Sequence, residues 1–164
     1  MIRIDVPEEL CQSCRQCCHF VAPPFLTPYT SRLPRFPGIL PDGFQSRSGD
    51  PVLSPSTNNG VAVQKCSFLE ADSFSCRDWG EHPLDCRIYP LVFCMKSNEP
   101  GIGLDPSCPF SARHALPWFE MKARQIRDDL WTGWTPEQKK ALLPFFRTDS
   151  FPDLVFLLAL PNVP

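Results

Sequence analysis

The feature that most constrains this chain is the stretch CQSCRQCCHF, which places Cys11, Cys14, Cys17 and Cys18 within eight residues. Burying unliganded thiols this close together has no packing reason, whereas thiolates two residues apart can converge on one metal ion or one iron–sulfur cluster. The stretch therefore predicts a metal centre. Neighbouring side chains diverge, so we expect Cys17 and Cys18 to face different metals, either in two sites or within one cluster.

The other cysteines complete a set of eight candidate ligands. The chain has nine cysteines, an odd number, and its N-terminus lacks a basic segment followed by a long apolar run. We therefore expect thiolate chemistry in the cytoplasm rather than a disulfide framework. Cys66, Cys76, Cys86 and Cys108 join the N-terminal four to make two sets of four ligands. Cys94, in the apolar run LVFCM, is left over and is expected to be an ordinary buried cysteine.

Charge and hydropathy argue against two classes of partner. The formal net charge is -2, and the charged residues are scattered along the chain rather than grouped, so no basic surface for nucleic acid is predicted. The longest apolar run near the C-terminus, residues 154–160, is far shorter than the roughly 20 residues that span a bilayer. We expect a metal partner, no nucleic acid and no membrane, and we leave a protein partner or substrate open.

The chain pattern predicts a small, loop-rich α+β fold in a single domain, 1–164. Twenty prolines limit the length of regular elements, and residues 22–60 are expected to be mostly irregular but wrapped on the core. Residues 1–110 form the cysteine-bearing part, in which an NNG turn precedes the strand VAVQKC and two further strands are expected in IYPLVFCM and GIGLD. Residues 111–164 are expected to form a helical part that covers one face of it.

Three helices are predicted in this C-terminal part. Apolar residues at alternating steps of three and four between 116 and 130 indicate an amphipathic helix. The segment TPEQ, 135–138, has a capping box and a proline at the first helical position, and predicts a second helix that Pro144 ends or kinks. The segment SFPDLVFLL, 150–158, has a serine cap and an aspartate three residues later, and predicts a short third helix.

The cysteine pattern resembles the YkgJ-type cysteine-cluster family, which is described as zinc- or iron-chelating. The resemblance is carried by CQSCRQCC, KCSFL, CRDWGEHPLDCRIYP and SCPF, and it includes the nine-residue gap between Cys76 and Cys86. It spans Cys11 to Pro109. The resemblance implies metal binding at the same thiol positions, which are Cys11, Cys14, Cys17, Cys18, Cys66, Cys76, Cys86 and Cys108.

The sequence departs from the family pattern at three places. Asp78 and Trp79 stand where the family has Ile-Tyr, His82 stands where arginine is usual, and Phe110 replaces the glycine after Cys-Pro. The thiol positions are unaffected, so the implied metal binding carries over. A role for the family's arginine or glycine does not carry over to this chain.

The ligand type alone does not choose between zinc and an iron–sulfur cluster. Three cysteines at two-residue gaps together with the remote pair Cys108-Pro109 are typical of four-iron clusters, whereas zinc sites more often use two separated Cys-x-x-Cys pairs. We therefore expect an iron–sulfur cluster, with zinc as the alternative. His19 and His82 are either ligands, donors to a sulfur or partly exposed neighbours, and Arg15 and Arg87 can offset the thiolate charge.

Two function classes remain open from the sequence. The first is a metal-binding protein that serves structure, electron transfer or metal handling. The second, implied by resemblance alone, is a metal-dependent protein lysine methyltransferase, because the family includes an enzyme of flagellin lysine N-methylation. Its substrate pocket would be lined by residues such as Trp79, Asp85 and Tyr89. The only short glycine motif, GIG at 101–103, lacks the length and the following helix of a cofactor-binding loop.

Overall fold

The computed structural model describes residues 3–14, 19–20, 53–58, 61–66, 68–70, 72–73, 75–77, 79, 84–147 and 153–161. Within these residues the chain forms four α-helices and two three-stranded antiparallel sheets, which confirms the small α+β fold. The elements are α1 (Glu8–Cys14), β1 (His19–Phe20), β2 (Leu53–Asn58), β3 (Val61–Cys66), α2 (Leu84–Ile88), β4 (Leu91–Lys96), β5 (Glu99–Leu104), α3 (Leu116–Asp129), α4 (Pro136–Leu142) and β6 (Val155–Ala159).

The first sheet has the strand order β1-β3-β2. Its central strand, β3, ends at the predicted ligand Cys66. The hairpin of β2 and β3 runs from the pair Asn58 and Val61 to the pair Leu53 and Cys66, which confirms the predicted strand VAVQKC. β2 also contains Pro55, which an edge strand tolerates because one side of its backbone needs no ladder partner. β2 lies in the stretch expected to be mostly irregular; the rest of that stretch lies outside the described residues.

The second sheet has the order β4-β5-β6 and lies at the core. β4 and β5 pair from Leu91 with Leu104 to Lys96 with Glu99. The two residues between them, Ser97 and Asn98, have φ angles of 51° and 65°, as the turn of a two-residue hairpin requires.

The strand expected in IYPLVFCM is shorter than that segment. Ile88 is the last residue of α2, and β4 begins only at Leu91. Tyr89 and Pro90, which are joined by a cis peptide bond, lie between the two elements. The sequence pattern did not reveal α2, because five residues are too few to show a helical period.

The helix predicted for residues 150–158 is wrong in the part that the structure describes. Val155–Ala159 instead form β6, which pairs antiparallel with β5. A short apolar run cannot be assigned to a helix or a strand by its periodicity. The free edge of β5 decides the outcome, because a strand satisfies its backbone donors and acceptors and a helix does not. The C-terminal part is therefore not purely helical, since its last strand completes a sheet of the cysteine-bearing part.

The predicted amphipathic helix is confirmed as α3. Phe119, Ala123 and Ile126 are fully buried on the face that packs against β5 and β6. Leu116, which also fits the apolar spacing, is 44% exposed. The apolar stripe therefore contacts the sheet only from the second turn of the helix onward.

The predicted start of the next helix is confirmed as well. The Thr135 hydroxyl accepts the N–H of Gln138 at 3.2 Å, and the Gln138 side-chain oxygen accepts the N–H of Thr135 at 2.9 Å. This reciprocal capping box satisfies two backbone donors that the first turn of α4 would otherwise leave unpaired. α4 ends at Leu142, two residues before Pro144.

An aromatic cluster joins β4 to the segments between the C-terminal helices. The ring centroid of Phe93 lies 5.3 Å from that of Phe146, 5.7 Å from that of Trp134 and 6.2 Å from that of Trp131. The Trp131 indole N–H donates to the carbonyl of Pro161 at 3.2 Å. The cluster therefore fixes both the helical segments and the end of β6 on the sheet.

In the described parts of the chain, no helix has the length and apolar character to cross a bilayer.

The close contact between β5 and β6 gives a direct test of this sheet. A Cβ added at Gly101 would overlap the Phe156 ring and lie 2.7 Å from the carbonyl oxygen of Leu158. We expect Gly101→Ala to lower the free energy of unfolding by about 2 kcal/mol in urea denaturation, because overpacking strains the strand pair. Gly133→Ala is the control, because nothing lies within 4 Å of its added Cβ. Equal stability of the two variants would contradict the β5–β6 pairing.

Candidate metal centre

Two of the eight predicted ligands, Cys11 and Cys14, lie on α1. The helix starts after Pro7, whose carbonyl accepts the N–H of Cys11 at 3.3 Å. Residues three apart share a helix face, so the two thiols leave α1 on the same side, and both residues are half-buried. The local spacing therefore aims two thiols of the N-terminal cluster in one direction. The other two members, Cys17 and Cys18, lie outside the described residues.

Cys108 starts a 3₁₀ turn, Pro109–Arg113, that packs against α1. Cys108 is 7% exposed, and its carbonyl accepts the N–H of Ser111 at 2.8 Å. The fold therefore brings the segment that begins at Cys108 beside the helix that carries Cys11 and Cys14, although the two are far apart in the sequence. This adjacency places the helix that carries the first two cysteines of the cluster next to the turn that follows Cys108.

Three predicted ligands share one backbone feature, which is a turn that starts at the cysteine. The carbonyl of Cys66 accepts the N–H of Leu69 at 3.2 Å, and that of Cys76 accepts the N–H of Trp79 at 3.0 Å. Cys108 begins a turn in the same way. Leu69 and Cys76 also form a backbone bridge. Each of these cysteines thus stands where the chain reverses direction, as short ligand-bearing loops around metals require.

Cys86 differs from these three because it lies on the short helix α2 and is exposed. Its neighbour Arg87 is only 8% exposed, and the Arg87 carbonyl accepts the N–H of Ile4 at 2.8 Å. This bond ties α2 to the segment that leads into α1. The charge-offsetting role of Arg87 stays a prediction.

The strand pairing of the first sheet links the N-terminal cluster to Cys66. His19 follows Cys18 in the sequence and pairs with Lys65, which directly precedes Cys66. The ladder therefore lays the chain that follows the cluster alongside the end of β3. The two other residues considered near the site, Arg15 and His82, lie outside the described residues.

Cys94 has a different environment from the predicted ligands. It lies in the middle of β4, is 3% exposed and pairs with Gly101 of β5. Its Sγ lies 3.1 Å from the position that a Cβ on Gly103 would occupy, so the thiol fills space that a larger residue at 103 would need. These contacts fit the expected ordinary buried cysteine.

Among the residues that the structure describes, no three Cys, His, Asp or Glu side chains form a group that could hold a metal ion. Seven of the nine cysteines belong to the described part. The described elements therefore bring α1 beside the turn after Cys108, and β1 beside the strand that ends at Cys66, without grouping three ligand side chains.

A buried carboxylate holds the segment that leads into Cys108. Asp105 Oδ1 accepts the N–H of Ser107 at 3.0 Å and its hydroxyl at 2.6 Å. Asp105 Oδ2 accepts the Tyr89 hydroxyl at 3.1 Å and the Arg147 guanidinium at 2.8 Å. Asp105 is 7% and Arg147 4% exposed. The network thus joins the turn before Cys108 to the end of α2 and to the chain after α4.

The backbone of Asp105 is held as firmly as its side chain. Its N–H donates to the carbonyl of Pro90 at 2.9 Å, and its carbonyl accepts the Ser111 hydroxyl at 2.7 Å and the N–H of Cys108 at 3.4 Å. Hydrogen bonds from Ser107, before Cys108, and from Ser111, after it, therefore both end on Asp105. Asp105 thus holds the Cys108 backbone by hydrogen bonds to Cys108 itself and to Ser111.

The charge state of Asp105 is set by opposing effects. Burial alone would raise the pKa of this carboxyl, because it disfavours the ionised form. The side-chain hydrogen bonds from Ser107 and Arg147, and the charge of Arg147, outweigh burial and lower the pKa below its ordinary value. Asp105 is therefore ionised at neutral pH and paired with a buried cation.

Sequence reasoning missed this network. An aspartate followed two residues later by serine is a local turn motif, and it could have marked Asp105 as a structural residue. Nothing in the spacing points to Arg147, which is 42 residues away. The enzyme hypothesis placed Tyr89 in a substrate pocket, whereas its hydroxyl is bound to Asp105.

The cysteine spacing is typical of a metal-chelating domain, and comparison with known families identifies which one. A family model described as "CxxCxxCC: Putative zinc- or iron-chelating domain" matches residues 10–109. The match covers more than half of the chain and contains all eight predicted ligands. The chain therefore belongs to the CxxCxxCC family. No curated protein and no solved structure matches it.

The buried carboxylate gives a prediction with a defined pH dependence. We expect Asp105→Asn to lower the free energy of unfolding at pH 7 on the order of 3 kcal/mol, because it leaves Arg147 buried without its counterion. The lowered pKa means that the contribution of Asp105 is complete above about pH 4 and is lost as the pH falls through the folded-state value. The difference between the variant and the wild type should therefore shrink below about pH 4 in urea denaturation.

The matched control is Asp128→Asn, which removes an exposed carboxylate paired with Arg127. We expect its unfolding midpoint to stay at the wild-type value throughout the pH range. A wild-type midpoint for Asp105→Asn at pH 7 would contradict the structural role of the network.

Proposed function

We propose that this chain binds an iron–sulfur cluster, with zinc as the alternative, through two sets of four thiolates drawn from eight cysteines. The observation that carries the proposal is the packing of α1 against the turn that begins at Cys108. It places the segment that begins at Cys108 beside the helix that carries Cys11 and Cys14, and four-iron clusters use this combination of closely spaced cysteines with a remote Cys-Pro. Within the described part of the chain, the three thiols do not by themselves form a metal-holding group. The proposed ligands are Cys11, Cys14, Cys17, Cys18, Cys66, Cys76, Cys86 and Cys108.

The donor set fits either metal group. Thiolates are the preferred ligands of iron–sulfur clusters and of structural zinc. A bound cluster would supply one-electron redox chemistry, and a bound zinc ion would stabilise the loops that hold it. The turns that begin at Cys66, Cys76 and Cys108 support the use of these thiols as ligands, because each stands at a reversal of the chain. Cys17 and Cys18 would connect the two sets of ligands.

Metal binding itself, in a structural, electron-transfer or metal-handling role, is the proposed function. The methyltransferase alternative rests on resemblance to one family member and gains no support from the comparisons. Of the residues assigned to its pocket, Tyr89 uses its hydroxyl to bind the buried Asp105.

Purification without oxygen tests which metal group is bound. We expect a brown protein with broad visible absorption, and iron and acid-labile sulfide in equal amounts. The measurements are the visible spectrum, the sulfide content and the metal content by elemental analysis of the same sample. A colourless protein with about two zinc ions per chain would overturn the cluster in favour of zinc. A protein that retains neither metal would contradict the whole proposal.

Two buried cysteines provide a matched pair of variants. Cys108, a proposed ligand, is 7% exposed, and Cys94, which is not one, is 3% exposed. We expect Cys108→Ser to lose metal, because a hydroxyl is a poor ligand for both groups. Cys94→Ser should keep the wild-type metal content and lose only stability, about 1–2 kcal/mol for a buried hydroxyl in place of a thiol.

Metal content per folded chain is the measurement, with far-ultraviolet circular dichroism as the check on folding. Equal loss of metal in the two variants would show that the effect comes from core disruption. Full retention in Cys108→Ser would remove Cys108 from the ligand set.

A further inference from the structure

A cleft lies beside the turn that follows Cys108, and the metal proposal does not use it. The cleft has a volume of about 460 Å³ and is formed by the N-terminal segment, the 3₁₀ turn Pro109–Arg113 and α3. Cavities of roughly 300–1,000 Å³ are the size that small-molecule ligands occupy. The size of this cleft therefore fits a small-molecule ligand.

The charge of the cleft is opposite in sign to that of the whole chain. Three cationic side chains line it, Arg3, Arg113 and Lys122, together with one carboxylate, Asp5. Asp5 already binds Arg3 at 3.1 Å, so it offsets only one of the three cations. The chain as a whole has a net charge of -2. A concave site with excess positive charge attracts anions and disfavours metal cations.

One side of the cleft is an aromatic wall formed by Phe110, His114 and Trp118, and it contacts the cation Lys122. The His114 ring stacks on Trp118 with centroids 4.2 Å apart and planes 11° apart, and the Phe110 ring lies 5.0 Å from His114. Lys122 Nζ lies 5.5 Å from the centroid of the Trp118 ring. This cation–π contact holds the ammonium over the wall and reduces the side-chain freedom it would lose on binding an anion.

The three cations come from three different segments of the chain. Arg3 precedes α1, Arg113 ends the 3₁₀ turn and Lys122 lies on α3. Because all three line one cleft, an anion with two separated charged groups can pair with more of them than a single small ion can. We propose that this cleft binds a small molecule that carries two or more phosphate or carboxylate groups. The proposal does not depend on which metal the cysteines hold.

Isothermal titration calorimetry of the full metal-loaded chain tests the proposal. The probes are fructose 1,6-bisphosphate and propane-1,2,3-tricarboxylate, which separate the phosphate from the carboxylate source and chelate metals only weakly. Metal content is measured before and after the titration. We expect one-to-one saturable binding of at least one probe, weakened at higher salt because the attraction is electrostatic. Fructose, which has the same sugar without the charges, should not bind.

Arg113→Gln and Lys122→Gln should each weaken binding about tenfold, which is the effect of losing one charge-assisted hydrogen bond. The matched control is Arg124→Gln, on the same helix but outside the cleft, where Arg124 pairs with Glu120 at 3.3 Å. Its affinity should stay within about twofold of the wild type, since its ion pair is exposed. The proposal fails if neither probe binds saturably at about 10 mM, or if Arg124→Gln weakens binding as much as the cleft variants do.

Discussion

The buried ion pair between Asp105 and Arg147 is the interaction on which the arrangement of this fold most depends. It joins the end of β5 to the chain beyond α4, and the Tyr89 hydroxyl adds the end of α2 to the same carboxylate. Burying two charges is costly, and only good geometry with further hydrogen bonds compensates for it. Asp105 meets this condition, because Ser107 supplies two more donors. Three segments distant in sequence are thereby fixed around one carboxylate.

This pair also explains how Cys108 is presented. Asp105 holds the residues before Cys108, while Phe110, two residues after it, is 4% exposed and packs edge-on to Phe119 at 6.4 Å. The cysteine therefore lies between a polar anchor and an apolar one. As a proposed ligand held at both sides, Cys108 would lose little conformational freedom on binding a metal, which would raise the affinity without additional contacts.

The sequence predicted the features that depend on local chemistry. The capping box at Thr135, the buried face of α3 and the strand that ends at Cys66 follow from residues within a few positions of each other. The metal-chelating character followed from cysteine spacing for the same reason. The strand β6 and the ion pair of Asp105 were not predictable in this way, because each depends on a partner distant in sequence: the free edge of β5 for one and Arg147 for the other.

The predicted ligands fall into two groups, those on segments with residues in the buried core and those on a helix without buried residues. Of those that the structure describes, Cys108 belongs to the hydrophobic core cluster, and Cys86 lies on α2 between the core residues Leu84 and Ile88. By contrast, α1 carries Cys11 and Cys14 but has no buried residue of its own. Because apolar burial supplies most of the stability of a folded segment, the core fixes the first group without any metal.

The second group has less apolar burial, since Leu10 of α1 is only partly buried against the core. It would gain most from metal coordination, whose free energy would order the segment. On this account the hydrophobic core would serve the cysteine cluster directly. Residues of α2, β4, β5, α3 and α4 build that core, and α1 packs against the turn that follows the core residue Cys108. Such coordination would give the dense spacing of the N-terminal cysteines a physical reason, because α1 has no buried residue of its own and several ligands close together would hold it in place.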